Sequence, residues 1–283
     1  MSNLLSAGVY RLLRSKVFYV GILAAVVVEV YALLTGVHSF SPDGFGLEEH
    51  FFVYSILLVI EMPAFCGLFF GAEYSSGTLR SKLVTGVTRW KLYTANLVLG
   101  AVASLVFSAT AIVTGLALGF PLMGGFHFQM EAGLLAGYFL CSLAVGVTSA
   151  SFATMISLLV SNRAVGLVIG VLTAFSLLFV GQYLVQGLAQ PDMTQEYEPV
   201  LQNGIVVGYA YSADAPMVPN PRYVGGALRT VYAFLLHFMP MGQCFLVSFL
   251  ELEEPWKLLA GAALFTALTT GIGLAIFQRK DVK

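Results

Sequence analysis

Two carboxylates stand inside long apolar stretches: Glu29 in VFYVGILAAVVVEVYALLTG (17–36) and Glu61 in FFVYSILLVIEMPAFCGLFFGA (51–72). An unpaired carboxylate in hydrocarbon costs at least about 3 kcal/mol, so each must be protonated, hydrated in a cavity or hydrogen-bonded to a neighbouring helix. No lysine or arginine lies within either of these two stretches to neutralise them. Such acids can line a substrate path, contact a cationic substrate or carry protons, or they can tie helices together as neutral carboxyls. Counting 1.5 Å per residue from the inner ends of their stretches puts Glu29 about 18 Å and Glu61 about 16 Å up, at similar depth. Pro63 sits close to Glu61 and is expected to kink that helix.

A second constellation lies between apolar stretches: EYSSGTLRSKLVTGVTRWK, from Glu73 to Lys91. It holds Arg80, Lys82, Arg89 and Lys91, four of the fourteen basic residues. Ser75 or Ser76 can cap a short helix here, and Gly86 can end it in the left-handed conformation. Thr88 can cap the helix that follows. Leu79 and Leu83, four residues apart, share one helical face that can enter an apolar notch. Arg80 and Lys82 are placed to meet acidic groups or the membrane surface. Glu73 and Arg89 bracket the segment and can pair with each other or with the N-terminal helix. The segment is therefore read as a structured docking element.

Other chemistry is absent from the sequence. No stretch matches the phosphate-binding loop G-x-x-x-x-G-K-[ST], nor H-E-x-x-H, C-x-x-C or G-x-S-x-G. His38, His50, His127 and His237 lack ligand spacing, so no metal site is expected. The three cysteines, Cys66, Cys141 and Cys244, are odd in number and far apart, and Cys66 and Cys141 lie in apolar spans and read as core residues rather than a disulfide framework.

The elements that must position these residues follow from composition. The chain has 58% hydrophobic and only 10% charged residues, with a mean hydropathy of +0.85. Soluble domains carry about a quarter charged residues, so this is an all-α integral membrane protein. A crossing needs about 20 apolar residues. Six stretches qualify: 17–36, 51–72, 93–119, 133–160, 164–186 and 256–277. The third and fourth exceed that length and must tilt or project from the bilayer. Residues 1–16 mix Val9, Tyr10, Leu12 and Leu13 with Arg11, Arg14 and Lys16, as an interfacial amphipathic helix does. The first apolar run is of spanning length and lacks a small-residue cleavage site, so it is not read as a cleavable signal.

With the N-terminus inside, eleven basic residues fall on the cytoplasmic side and three (Arg222, Arg229, Lys257) outside. The positive-inside rule therefore favours a multi-pass cell-membrane protein with both termini cytoplasmic. A further apolar run, residues 231–250, would invert that balance if it crossed. Pro240 and Gly242 interrupt it, which predicts two re-entrant half-helices in the outer leaflet, covered by protein. The outer segment 187–255 also contains Asn203-Gly204, a hairpin signal between Val200-Leu201 and Ile205-Val206-Val207. Gly115/Gly119, Gly133/Gly137 and Gly166/Gly170 have the spacing of generic close packing between helices. All of residues 1–283 is read as one transmembrane domain, with 73–91 as its cytoplasmic docking segment.

In layout and in three short motifs the chain resembles the permease subunits of ABC-2 type ATP-binding-cassette transporters. The motifs are Glu73…Gly77-Thr78-Leu79…Leu83-Val84…Thr88-Arg89, the turn ISLLVSNRAVGLVIGVL (156–172) and the terminal GLAIFQRKDVK (273–283). Asn96 departs from the lysine that many relatives carry there. The resemblance implies a subunit that forms a pathway with a second copy or a related permease, driven by two cytoplasmic ATP-binding subunits. ATP and magnesium would reside on those partners and no cofactor on this chain. It makes 73–91 the coupling segment, with Glu73, Thr78, Leu79, Arg80, Leu83 and Arg89 at the ATPase interface, and leaves Glu29 and Glu61 as candidates for the path. Membrane lipid is an expected partner and nucleic acid is not. Two other functions compete: a proton-coupled secondary transporter using Glu29 and Glu61, and a non-transporting scaffold. The absence of an inverted repeat weighs against the first of these.

Overall fold

A computed structural model describes residues 1–38, 47–124, 126, 131–195, 197–202, 205–211 and 216–280. Helix α1 (Ser2–Leu13) precedes α2 (Lys16–His38), and a single turn, α3 (Glu48–Phe51), leads into α4 (Tyr54–Ser75). The short α5 (Thr78–Val84) separates α4 from α6 (Arg89–Met123), followed by α7 (Ala132–Leu159) and α8 (Arg163–Ala189). Six of these helices, counting the last helix α11 (Pro255–Arg279), are long and apolar enough to cross a membrane. At 35 residues, α6 is about 52 Å long, well beyond a ~30 Å hydrocarbon core.

Helix α4 is the centre of the bundle and packs against α2, α6, α7 and α8. Its partner α7 buries a face rich in serine, threonine and glycine, which lets backbones approach closely. Ser151 on α7 bonds Thr269 on α11 through their hydroxyls at 2.7 Å. Several glycines serve the same end inside the chain: Gly170 faces Pro63, and Gly137 faces Pro255. Helices α8 and α11 leave most of their apolar surface uncovered, including Phe179, Leu172 and Ile272, as helices bordering lipid do. Cys66, Cys141 and Cys244 are buried free thiols. On α1, Val9, Tyr10 and Leu13 are exposed beside Arg14, whereas Leu12 is buried, which suits a helix lying along a membrane surface.

Between α8 and α11 the chain forms two antiparallel ribbons and a bent helix pair. Strand β1 (Met193–Gln195) pairs with β4 (Met217–Pro219), and β2 (Tyr197–Gln202) with β3 (Ile205–Tyr211). The β2–β3 pair is the expected hairpin, longer than its signal suggested; the turn residues Asn203 and Gly204 lie outside the described residues. Helices α9 (Gly226–Phe238) and α10 (Pro240–Ser248) meet at 88°. The break falls at extended Met239, and Pro240 opens α10 at the position where its missing N–H costs nothing. Gly242 lies one step further in and serves close approach instead, since a Cβ there would overlap the backbone of Leu236. The broken backbone is covered from within. Buried Gln243 donates through Nε2 to the carbonyls of His237 (2.8 Å) and Phe238 (3.1 Å), the free end of α9. Gly261 on α11 presses against the same corner.

Candidate coupling face and buried carboxylates

The segment after α4 is shaped by two glycines. Gly77 has φ +68°, which ends α4 and at once supplies the N-cap residue of α5. Its carbonyl accepts from the Ser81 N–H at 3.0 Å. At the other end Gly86, φ +91°, closes α5 with a pair of bonds: Gly86 N–H to Leu83 O and Val87 N–H to Lys82 O, both 3.1 Å. That is the Schellman arrangement expected of glycine there.

The serine caps are not found. Helix α4 runs to Ser75, three residues past the expected end of the span, so Ser75 and Ser76 belong to its last turn. Ser75 Oγ donates back to Ala72 O at 3.1 Å, and Ser76 Oγ bonds Thr78 Oγ1 at 2.7 Å. Thr88 occupies the N-cap position of α6 with extended backbone but makes no side-chain capping bond.

Glu73 is consequently inside α4, with its side chain 1% exposed. Its Oε1 accepts from Arg11 Nη1 of α1 and from Lys82 Nζ of α5, the latter at 2.5 Å. The Arg11 guanidinium also lies over the Phe69 ring, 4.1 Å from its centroid. Burial lowers the Arg11 pKa from its usual value, and the Glu73 charge and hydrogen bond partly restore it. One carboxylate thus ties α1, α4 and α5 together. Of the pairings expected for Glu73, the one with the N-terminal helix is present and the one with Arg89 is not. Lys82, placed by the sequence to meet an acidic group or the membrane surface, meets the acid of its own chain, Glu73.

Arg89, at the first position of α6, donates instead to the C-terminal carbonyls of α11: Phe277 at 3.1 Å, Gln278 at 3.2 Å, and Lys280. A cation there satisfies orphan carbonyls and the negative end of the helix dipole. Lys280 donates to Tyr74 Oη and Leu158 O, each at 3.0 Å, joining the ends of α4, α7 and α11. Burial pushes the Lys280 amine down to about 8. Sequence reading missed this lysine, although its place in the basic tail after α11 was the available signal.

Leu79 is 0% exposed and Leu83 is partly buried against the same core, so the leucine face of α5 turns into its own chain. An apolar i, i+4 face ordinarily serves the protein's own core. What α5 presents to solvent is Thr78, Arg80, Ser81 and Thr85 around Val84, which is 80% exposed. Sequence reading named Val84 only as part of the Leu83-Val84 motif and not as a contact.

Glu29 and Glu61 are both buried, and none of their carboxylate oxygens has a hydrogen-bond partner among the described residues. Each faces a glycine on a neighbouring helix. A Cβ on Gly115 of α6 would lie 2.6 Å from Glu29 Oε1, and one on Gly21 of α2 would lie 2.8 Å from Glu61 Oε1. Glu61 is therefore level with Gly21, eight residues or about 12 Å along α2 from Glu29. The equal depth expected from counting does not hold. The count assumed that α2 and α4 begin at one level, whereas α4 projects further at the end where Glu73 lies. The two acids do not form one site.

Six helices of spanning length, a protein-covered re-entrant pair, and a braced polar face at the ends of α1, α4, α5, α6, α7 and α11 define a multi-pass membrane protein. Residues 4–181 match the family model described as ABC-2 family transporter protein, which is more than half of the chain. The chain belongs to this family: it is a membrane permease component of an ABC transporter, a kind of chain that works with ATP-binding subunits. No match was found among curated proteins.

Proposed function

We propose that this chain is the permease subunit of an ATP-driven exporter, energised through α5 by a separate cytoplasmic ATPase that carries ATP and magnesium. It forms its pathway with a second copy or a related permease, and both termini are cytoplasmic. The observation that carries the reading is the bracing of α5. A loop that only obeyed the positive-inside rule would need basic residues alone, not a helix closed by two left-handed glycines and pinned through Lys82 to a buried Glu73. A push on α5 reaches α4 through Gly77 and Glu73, and α1 through Arg11.

In this reading Thr78, Arg80 and Val84 touch the ATPase, Glu73, Leu79 and Leu83 hold the element in place from within, and Arg89 fixes the start of α6 to the end of α11. The test is Val84→Asp in the full chain co-expressed with its ATP-binding subunit. Loss of co-purification or of transport-coupled ATP hydrolysis, with unchanged thermal stability, is expected. Undiminished coupling would remove α5 as the contact. Glu29 and Glu61 are two separate positions, and a path role for either is tested by Glu29→Gln and Glu61→Gln. Unchanged transport in both would exclude it.

A further inference from the structure

Beside the braced carboxylate, α1, α4, α5 and the start of α8 enclose a pocket of about 380 Å³, within the ~300–1,000 Å³ usual for small-ligand sites. Its polar lining is basic and hydroxyl-bearing: Arg11, Arg14 and Arg163, with Ser15, Ser76 and Thr78. Glu73 is the acid on its wall, and Glu73 Oε1 is already shared by Arg11 and Lys82. Among the described residues neither Arg14 nor Arg163 has an acidic partner; Arg14 rests over the Tyr10 ring at 4.2 Å. Arg11 contributes more than charge. Its Nε and Nη2 are buried without any acceptor, an arrangement that costs stability unless an acceptor comes from elsewhere. Three guanidiniums, the Ser15 hydroxyl and one of the mutually bonded Ser76 and Thr78 hydroxyls make a donor set suited to the oxygen atoms of a phosphate.

The rest of the wall is apolar. Val17 from the first turn of α2 and Leu68 and Phe69 from α4 form the side that continues into the spanning bundle. The pocket therefore passes from a cationic rim to an apolar floor at the end of two spanning helices, beside a helix whose exposed face suits a membrane surface. We propose that it holds the headgroup phosphate of an anionic phospholipid, with the start of its acyl chains against Val17, Leu68 and Phe69. Basic pockets between membrane helices take such headgroups. A bound lipid would join α1, the α4–α5 turn and α8 around one phosphate. This assignment does not depend on the ATPase contact proposed for Val84.

The experiment measures phosphatidylglycerol and phosphatidylcholine retained by the full-length protein, titrated from mixed micelles and read by native mass spectrometry. Wild type is expected to prefer phosphatidylglycerol. Arg14→Gln/Arg163→Gln, which spares Arg11, should lower that preference by roughly tenfold or more, and Arg14→Lys/Arg163→Lys should keep most of it. Lys91→Gln/Arg279→Gln removes equal charge outside the pocket and should change it by less than about twofold. Arg14, Arg163 and Arg279 are exposed and Lys91 is half-buried, and the unfolding temperatures of both glutamine variants are compared with wild type. Unchanged preference in Arg14→Gln/Arg163→Gln, or an equal loss in both glutamine variants, would overturn the site. Displacement of the lipid by millimolar inorganic phosphate would show a soluble phosphate ligand and overturn the lipid assignment.

Discussion

Glu73→Gln is the most direct probe of how α5 is held. The Glu73 side chain is 1% exposed, against 32% for Arg11 and 27% for Lys82. Removing one partner of a fully buried ion pair costs roughly 3–5 kcal/mol, because the remaining charge is stranded. Exposed pairs contribute about 0–1 kcal/mol. Here the stranded cations can partly recover water, so the expected cost lies between, at about 2–3 kcal/mol. Arg11→Gln leaves Glu73 with Lys82 and should cost less. The double variant should fall short of the sum by roughly 1–2 kcal/mol, the coupling expected of residues in direct contact. The assay is built into the protein: Cys66, Cys141 and Cys244 are buried and free, so a fluorogenic maleimide reports unfolding on heating. For a chain of this size the loss corresponds to a midpoint lowered by about 3–5 °C. Trypsin should also cut faster after Arg11 and Arg14 once α1 is released. If Glu73→Gln matched the exposed-site control Arg80→Gln, or if the double variant were additive, the brace would be refuted.

Other substitutions separate faces and corners. Val84→Asp should leave unfolding within about 0.5 kcal/mol of wild type, whereas Leu79→Asp, which buries a charge in the core, should fail to give a folded protein by size-exclusion chromatography. Gln243→Leu strips donors from two buried carbonyls at the α9–α10 corner and should cost about 2–4 kcal/mol in the same thermal assay. Gly261→Val places atoms onto the His237 carbonyl and should destabilise by at least about 2 kcal/mol, with Gly271→Val, where no neighbour lies within 4 Å, as the tolerated control. Lys280 makes stability depend on pH. Its folded pKa, about 8, lies below the 10.5 of the free side chain, so between these values the unfolded chain binds the extra proton. Stability should therefore rise from about pH 8 to 10.5, followed by the fluorescence of Trp90 and Trp256, and Lys280→Met should flatten that rise.

Several features were legible because their causes are local. Gly86 was read correctly since a left-handed helix end is a property of one residue and its neighbours. The Pro240 break was legible for the same reason, although the chain turns at Met239 and uses Gly242 for contact. The caps at Ser75 and Ser76 were misplaced because α4 continues for a further turn, and Gly77 then takes the capping position. The leucine pair was correctly seen as one face of a helix, but spacing alone does not say whether that face meets a partner or the chain's own core. Val84 was named only as part of the Leu83-Val84 motif and not as a contact, because exposure is a property of the assembled bundle.

The sequence by itself determined the six spans, the short basic element between α4 and α6 and the re-entrant pair before α11, because hydrocarbon transfer, proline geometry and glycine conformation act within a few residues. Only the tertiary structure decided that Glu73 joins Arg11, 62 residues away, that Arg89 caps α11 rather than meeting Glu73, and that Glu61 lies level with Gly21, about 12 Å along the α2 axis from the level of Glu29. Those outcomes depend on how far each helix slides along its neighbours. That offset is set by the summed packing of whole helix faces, and no short stretch of the chain contains it.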